Sequence, residues 1–278
     1  MPLTKKKFQV IRYGPNEELK NNTTYFSGKY EEVIEQYSSL RDLGVQLQDD
    51  GTFAEHIENV CRKARQKGGW LLRTFYSRST LFMKQMFNSI VQPQIDYCSQ
   101  LWMPQEGRSL EMLEKVLRDF SRRIPELREL SYHDRLRELR MNSQQRRLER
   151  YQLIYTWKVM EGLVPNPGLS WSPADTRRGR VCEVPHLQGP PAVRALRCQS
   201  FQVSGAKLWN CLPTNLRNKS CKQEDFKELL DSFLTEVPDE PRASGCVPGA
   251  CDPHTGRATN TLLHQAARRR RTWKDSPT

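Results

Sequence analysis

From Thr52 to Met160 apolar residues recur at intervals of three and four through one segment after another. Most of these segments open at a hydroxyl residue or close at a proline or glycine. That pattern commits the middle of the chain to a helical bundle with short connections. The first helix is set to begin at Thr52, which forms a T-x-x-E capping box with Glu55, and Ile57, Val60, Cys61, Ala64, Leu71, Leu72 and Phe75 line one of its faces. Gly68-Gly69 is placed to bend it. The other face carries Arg62, Lys63, Arg65 and Lys67, with Arg73 further along, and reads either as a solvated basic surface or as a set of phosphate contacts. Ser79 heads a second helix with Met83, Met86, Phe87, Ile90 and Val91 inward, which Pro93 should end. Another runs from Arg108 to Ile124, Ser131 with Asp134 opens a short one, and Ser143 to Met160 forms a long one stopped by "EGLVPNPG".

The chain before the bundle reads as extended. "KFQVIRYG" ends at a Gly-Pro turn, and in "DLGVQLQ" Leu43, Val45 and Leu47 alternate with polar neighbours at the period of a half-buried strand. Asp49 and Asp50 follow as an adjacent pair. Paired aspartates are what two-metal nucleotidyl transfer needs, but there the carboxylates converge from separate strands, whereas Asp50-Gly51 is ordinary turn chemistry. Catalysis by this pair is therefore not expected.

Beyond the bundle, from Val164 to about Ala192, Pro, Gly and Arg dominate, and the segment reads as a long loop. Helices return near Cys198 to Cys211 and Gln223 to Thr235. The expected class is α+β, mostly α: a short β-rich part over 1–51, the bundle over 52–163, a loop with helices packing on the bundle over 164–237, and a disordered basic tail over 238–278.

Forty-four Lys and Arg oppose 32 Asp and Glu, a formal charge of +12, which favours an anionic partner. There is no secretory leader and no run long enough for a membrane span, so the chain is expected to be intracellular, with its eight cysteines reduced. No G-x-S-x-G, H-E-x-x-H, P-loop or G-x-G-x-x-G is present. Cys246, Cys251, His254 and His264 are potential ligands in the tail, but their spacing fits no common zinc knuckle or finger, and no metal is expected. Arg268 to Arg271 read as a phosphate contact or nuclear import signal, or as a solubilising tail.

Several phrases, in order, resemble the carboxy-terminal part of the reverse transcriptase of non-LTR retrotransposons of the jockey or CR1 type. They are "KKKFQVIRYGPN", "SLRDLGVQLQDDGTFAEHI", "SIVQPQIDYCSQLW", "LEKVLRDFSRRIPELRELSYHDRLRELRM", "TRRGR" and "KLWNCLPTNLRNKS" followed by "DFKELLDSFL". The likeness extends to about Leu234. It implies that 1–51 is the end of a polymerase palm and that the helices from Ile57 to Gly162 are thumb-like. Leu43, Gly44, Val45, Phe53, His56 and Ile57 match the family's L-G-V strand and F-x-x-H-I phrase, and Trp209 matches a motif after the thumb. The family's catalytic aspartates, which hold Mg²⁺ in the intact enzyme, belong to an early palm strand and an aromatic-x-D-D hairpin upstream of anything here.

The resemblance therefore implies a truncated RNA-directed DNA polymerase, inactive by itself and needing no cofactor. Its remaining property would be non-specific binding of RNA or RNA–DNA duplex through Arg62, Lys63, Arg65, Lys67 and Arg73. The alternatives are a protein-interaction module, using an exposed apolar surface around Val10, Ile11, Val45 and Leu47, or a mobile-element remnant with no role.

Overall fold

The computed structural model describes residues 8–14, 18, 24–26, 33–104, 106–172, 186–188, 200–217, 221–241, 262 and 265. The class is α+β, mostly α. The chain divides into two compact units, 1–60 and 61–278.

In the first unit β1 (Ser39–Asp42) and β2 (Val45–Gln48) pair antiparallel, with Asp42 opposite Val45, so Leu43-Gly44 is a two-residue hairpin loop. Both loop residues have positive φ, 44° and 89°. This is the mirror-image turn whose twist matches a right-handed hairpin. It corrects the expected strand: Leu43 does not alternate with Val45 and Leu47 but sits at the tip, 84% exposed. Asparagine tolerates that conformation better than leucine, and no buried packing would be lost. Leu43→Asn is expected to stabilise the chain by ~0.5–1 kcal/mol, seen as a raised denaturant midpoint; an unchanged or lower midpoint would refute the turn assignment.

Gly51, at φ 74°, turns the chain into α1 (Ala54–Thr74). The hairpin then grips the first turns of this helix. The Gln46 N–H donates to His56 Nδ1 at 3.1 Å, the Glu55 N–H to Gln48 Oε1 at 3.0 Å, and the Ser39 hydroxyl to the Glu55 carboxylate at 2.6 Å. These bonds explain why the units part at Val60 rather than at Gly51. They also correct the capping box, because Thr52 and Glu55 both bond elsewhere. The expected apolar patch needs correction too: Val45 is buried, and Val10, Ile11 and Leu47 are half-buried. Among the described residues of this unit, the exposed large hydrophobic side chains are Phe8, Tyr13, Tyr25, Phe26, Val33 and Leu43.

The second unit continues with α2 (Thr80–Met86), a π-helical turn Phe87–Val91 and α3 (Gln92–Asp96). Pro93 does not end this helix, contrary to expectation. The wider π turn shifts the hydrogen-bond ladder so that Pro93 falls in the first turn of α3, where its missing N–H is not needed. Next come α4 (Ser99–Trp102), α5 (Gly107–Ser121), a 3₁₀ turn Pro125–Leu127, α6 (Tyr132–Leu139) and α7 (Gln144–Met160). The two serine caps are present. Ser131 Oγ accepts from the Asp134 N–H, and Ser143 Oγ from the Arg146 N–H at 3.1 Å. No helix among the described residues is long and apolar enough to cross a membrane.

α7 is the hub. It packs against α4, α5, α8 (Phe201–Trp209) and α10 (Gln223–Glu236), the last two flanking a short α9 (Thr214–Arg217). Leu153, Ile154, Trp157 and Val159 of α7 share a core with Ala206, Leu208 and Trp209 of α8 and Phe226, Leu230 and Leu234 of α10. Backbone pairs β3 (Ser170–Ser172) and β4 (His186–Gln188) lie between α7 and α8 in sequence.

The expected tail is corrected at its described residues. Asp239 accepts from the Ser143 N–H and hydroxyl, both at 2.7 Å, and the Pro238 carbonyl accepts from Arg146 Nη2 at 2.9 Å. Leu262 is buried, and its N–H donates to Glu149 Oε1 at 3.0 Å. Asp239 thereby holds the Ser143 cap of α7, while the free N–H groups of its first turn go to Glu114, from Gln144, and to Ser143 Oγ, from Arg146. "TRRGR", Cys246, Cys251, His254, His264 and Arg268 to Arg271 lie outside the described residues.

Candidate nucleic-acid interface

α1 presents two faces set by its period. Cys61, Ala64, Gly68 and Leu71 point inward at three- and four-residue spacing. At Gly68 a Cβ would come to 3.4 Å from Phe120 Cδ2, van der Waals contact, so α1 runs close against α5 there. The glycine pair does not break the helix, which is continuous from Ala54 to Thr74. Outward lie Arg62, Arg65, Lys67 and Arg73, all exposed, with Lys63 half-buried at the edge. The five residues singled out as phosphate contacts thus share one helix. Arg73 also occupies its last turn, where a cation is favoured by the helix dipole.

A stronger signal surrounds them. Between Cys61 and Ile95 there is no Asp or Glu, while Arg62, Lys63, Arg65, Lys67, Arg73, Arg78 and Lys84 all carry positive charge. A merely solvated helix face ordinarily mixes signs to gain i,i+4 pairs; this stretch does not. Arg78 and Lys84 have structural work. The Arg78 guanidinium donates to the Leu72 and Phe75 carbonyls, closing the carboxy-terminal end of α1, and Lys84 Nζ donates to the Arg140 carbonyl at 3.4 Å. Exposed aromatic side chains, Trp70 and Tyr76, stand in the same stretch.

The motif residues serve folding. Leu43 and Gly44 form the hairpin tip, Val45 and Ile57 are buried, and Phe53 is half-buried before α1. His56 is buried with its Nδ1 accepting from Gln46. Trp209 belongs to the core of the second unit, stacked at 5.9 Å on Phe226. Asp50 accepts from the Thr52 N–H and hydroxyl, both at 2.8 Å, a side-chain turn that occupies the carboxylate. Among the described residues, no three of His, Cys, Asp or Glu come together as a metal site.

Two carboxylic acids that periodicity gave no reason to single out lie wholly buried beside α7. Glu114 bonds the Tyr132 hydroxyl and accepts from the Gln144 N–H at 2.9 Å; burial pushes its pKa up to about 8, aided by nearby Asp239 and opposed by those hydrogen bonds. Glu149, also raised by burial, reaches about 7 despite the neighbouring Arg146. Neither reaches solvent, so these groups belong to the scaffold rather than to acid–base chemistry on a substrate.

No family model matches the chain, and no solved structure matches it. A Caenorhabditis elegans protein described as uncharacterized is 31% identical over 111 residues, which cover 38% of this chain and 56% of that protein. The chain thus spans little more than half the length of this relative, whose description names no activity.

Proposed function

We propose that this chain is the end of the palm and the thumb of a jockey-like non-LTR reverse transcriptase, and that its own activity is sequence-independent binding of nucleic acid. The observation that carries the binding is the acid-free stretch from Cys61 to Ile95, whose cations Arg62, Arg65, Lys67 and Arg73 lie exposed along one helix. Phosphate contacts of this kind release counterions, so affinity should fall linearly in a plot of log K against log salt. The quadruple variant Arg62→Ala, Arg65→Ala, Lys67→Ala, Arg73→Ala is expected to flatten that slope by up to about 3–4, because each phosphate contact contributes roughly 0.9 on duplex. Fluorescence anisotropy with a labelled oligonucleotide measures it. Absence of binding at low salt, or a slope the variant leaves untouched, would sink the proposal.

A protein partner is the second reading, and the exposed Phe8, Tyr13, Tyr25, Phe26 and Val33 of the first unit favour it. It makes the opposite forecast for the same variant: a partner captured through that unit is retained after nuclease treatment and is indifferent to loss of the four cations.

A further inference from the structure

The cations of α1 would serve duplex and single strand alike, but the aromatic residues among them would not. Trp70 follows Gly69 on α1 and stands one turn from Arg73, with 46% of its surface exposed. It is not loose. Its ring lies edge-to-face with Phe75 at 6.1 Å, and Phe75 in turn meets Phe82 at 5.5 Å, so an aromatic row backs it from α2. Tyr76 is fully exposed, yet the backbone around it is pinned, because Arg78 donates to the carbonyls of Phe75 and Leu72 on either side of the helix end. Beside Trp70 the helix is bare: a Cβ on Gly69 would meet only Arg73 Nη1, at 3.5 Å. A flexible guanidinium is the sole neighbour, so packing gives no reason for glycine there.

We propose that the second half of α1, with the segment through Arg78, is a stacking platform for unpaired bases, and that the preferred ligand is a single strand. This rests on the nucleic-acid reading above and sharpens it. Trp70 supplies an aromatic face backed by Phe75, Tyr76 a fully exposed ring on a held backbone, and Arg65, Lys67 and Arg73 supply the charge for the phosphates between the stacked bases. Base–aromatic stacking is indifferent to sequence because every base has a π face, and a duplex hides those faces inside its own stack. The lack of any carboxylate between Cys61 and Ile95 fits an anionic strand along this surface.

The test compares a labelled (dT)20 strand with a hairpin duplex of similar charge, for the full chain and for Trp70→Ala, Tyr76→Ala, the double variant and Trp70→Phe. Tyr76→Ala, at a fully exposed ring, is expected to keep the parent's melting temperature, and Trp70→Ala, which loses the edge contact with Phe75, to lower it by a few degrees while leaving the chain folded at the assay temperature. The expected result is tighter binding of the strand than of the duplex. The double variant should lose about ten-fold or more of the strand affinity, with duplex affinity and salt slope unchanged, and Trp70→Phe should restore part of the loss. If the double variant binds the strand as the parent does, or weakens strand and duplex equally, the platform is refuted while general binding stands. If neither ligand binds at low salt, the underlying reading fails as well.

Discussion

Phe226→Ala is expected to cost about 3–5 kcal/mol, enough to leave much of the chain unfolded at 37 °C. The Phe226 ring is completely buried, stacked on Trp157 at 5.3 Å and on Trp209 at 5.9 Å. It therefore joins α7, α8 and α10 at one point, and its removal leaves two indole faces without a partner in a core that cannot collapse from three directions at once. The consequence extends beyond the cavity. α10 leads directly to Val237 and Asp239, and Asp239 closes the amino-terminal end of α7 through Ser143. Loosening α10 should therefore fray both ends of the hub helix together. Denaturant unfolding followed by tryptophan fluorescence reads the loss, and Phe226→Leu, which retains most of the apolar volume, should recover more than half of it. A loss below about 1 kcal/mol for the alanine variant would mean that α10 does not dock on α7 as described.

The caps at Ser131 and Ser143 and the inward faces of α1 and α5 were legible in the sequence because each is a local signal: a hydroxyl three residues before a free N–H, or a stripe of one period. Where the reading failed, a competing local partner or a change in backbone phase had intervened. Thr52 looked like a cap for Glu55, but Gln48 reached that N–H first and Asp50 took the threonine. Pro93 looked like a stop, but one π turn rephased the ladder around it. Leu43 looked like a strand residue because leucine is apolar; its positive φ follows from a two-residue loop, which only the pairing of Asp42 with Val45 reveals. α7 hides best, since helices contact it from several sides. Its buried Gln144, Arg146, Glu149, Gln152 and Thr156 then resemble a solvent face when read along the chain. The basic residues of α1 were found by the same stripe logic. Trp70 and Tyr76 were not, because an exposed aromatic residue cannot be told from a core one without the packing around it.

Stability should decline as pH rises from about 4.5 to 8, the reverse of ordinary acid denaturation, and Glu114→Gln should remove most of that decline. The Glu114 carboxyl is raised from its ordinary 4.5 to about 8, chiefly by burial. In the unfolded chain it ionises near 4.5, so above that pH the unfolded state releases a proton that the folded state keeps. The stability it contributes is therefore fully present below 4.5 and is lost progressively until the folded group ionises near 8. The gap corresponds to ~3–5 kcal/mol, at about 1.4 kcal/mol per pH unit. Glutamine reproduces the protonated acid, its carbonyl accepting from the Gln144 N–H and its amide N–H donating to the Tyr132 hydroxyl oxygen, and does not titrate. At pH 7 and above, the glutamine variant should thus be the more stable protein. Alanine should be the worse one at every pH, because it leaves Tyr132 and Gln144 without their buried partner. Glu149, raised to about 7, accounts for the remaining slope, and adding Glu149→Gln should flatten it. Denaturant midpoints between pH 4 and 9 decide the matter. A glutamine variant that keeps the parent's slope would show that Glu114 is ionised in the folded chain, and a buried anion within reach of Asp239 would then require a cation from outside this network.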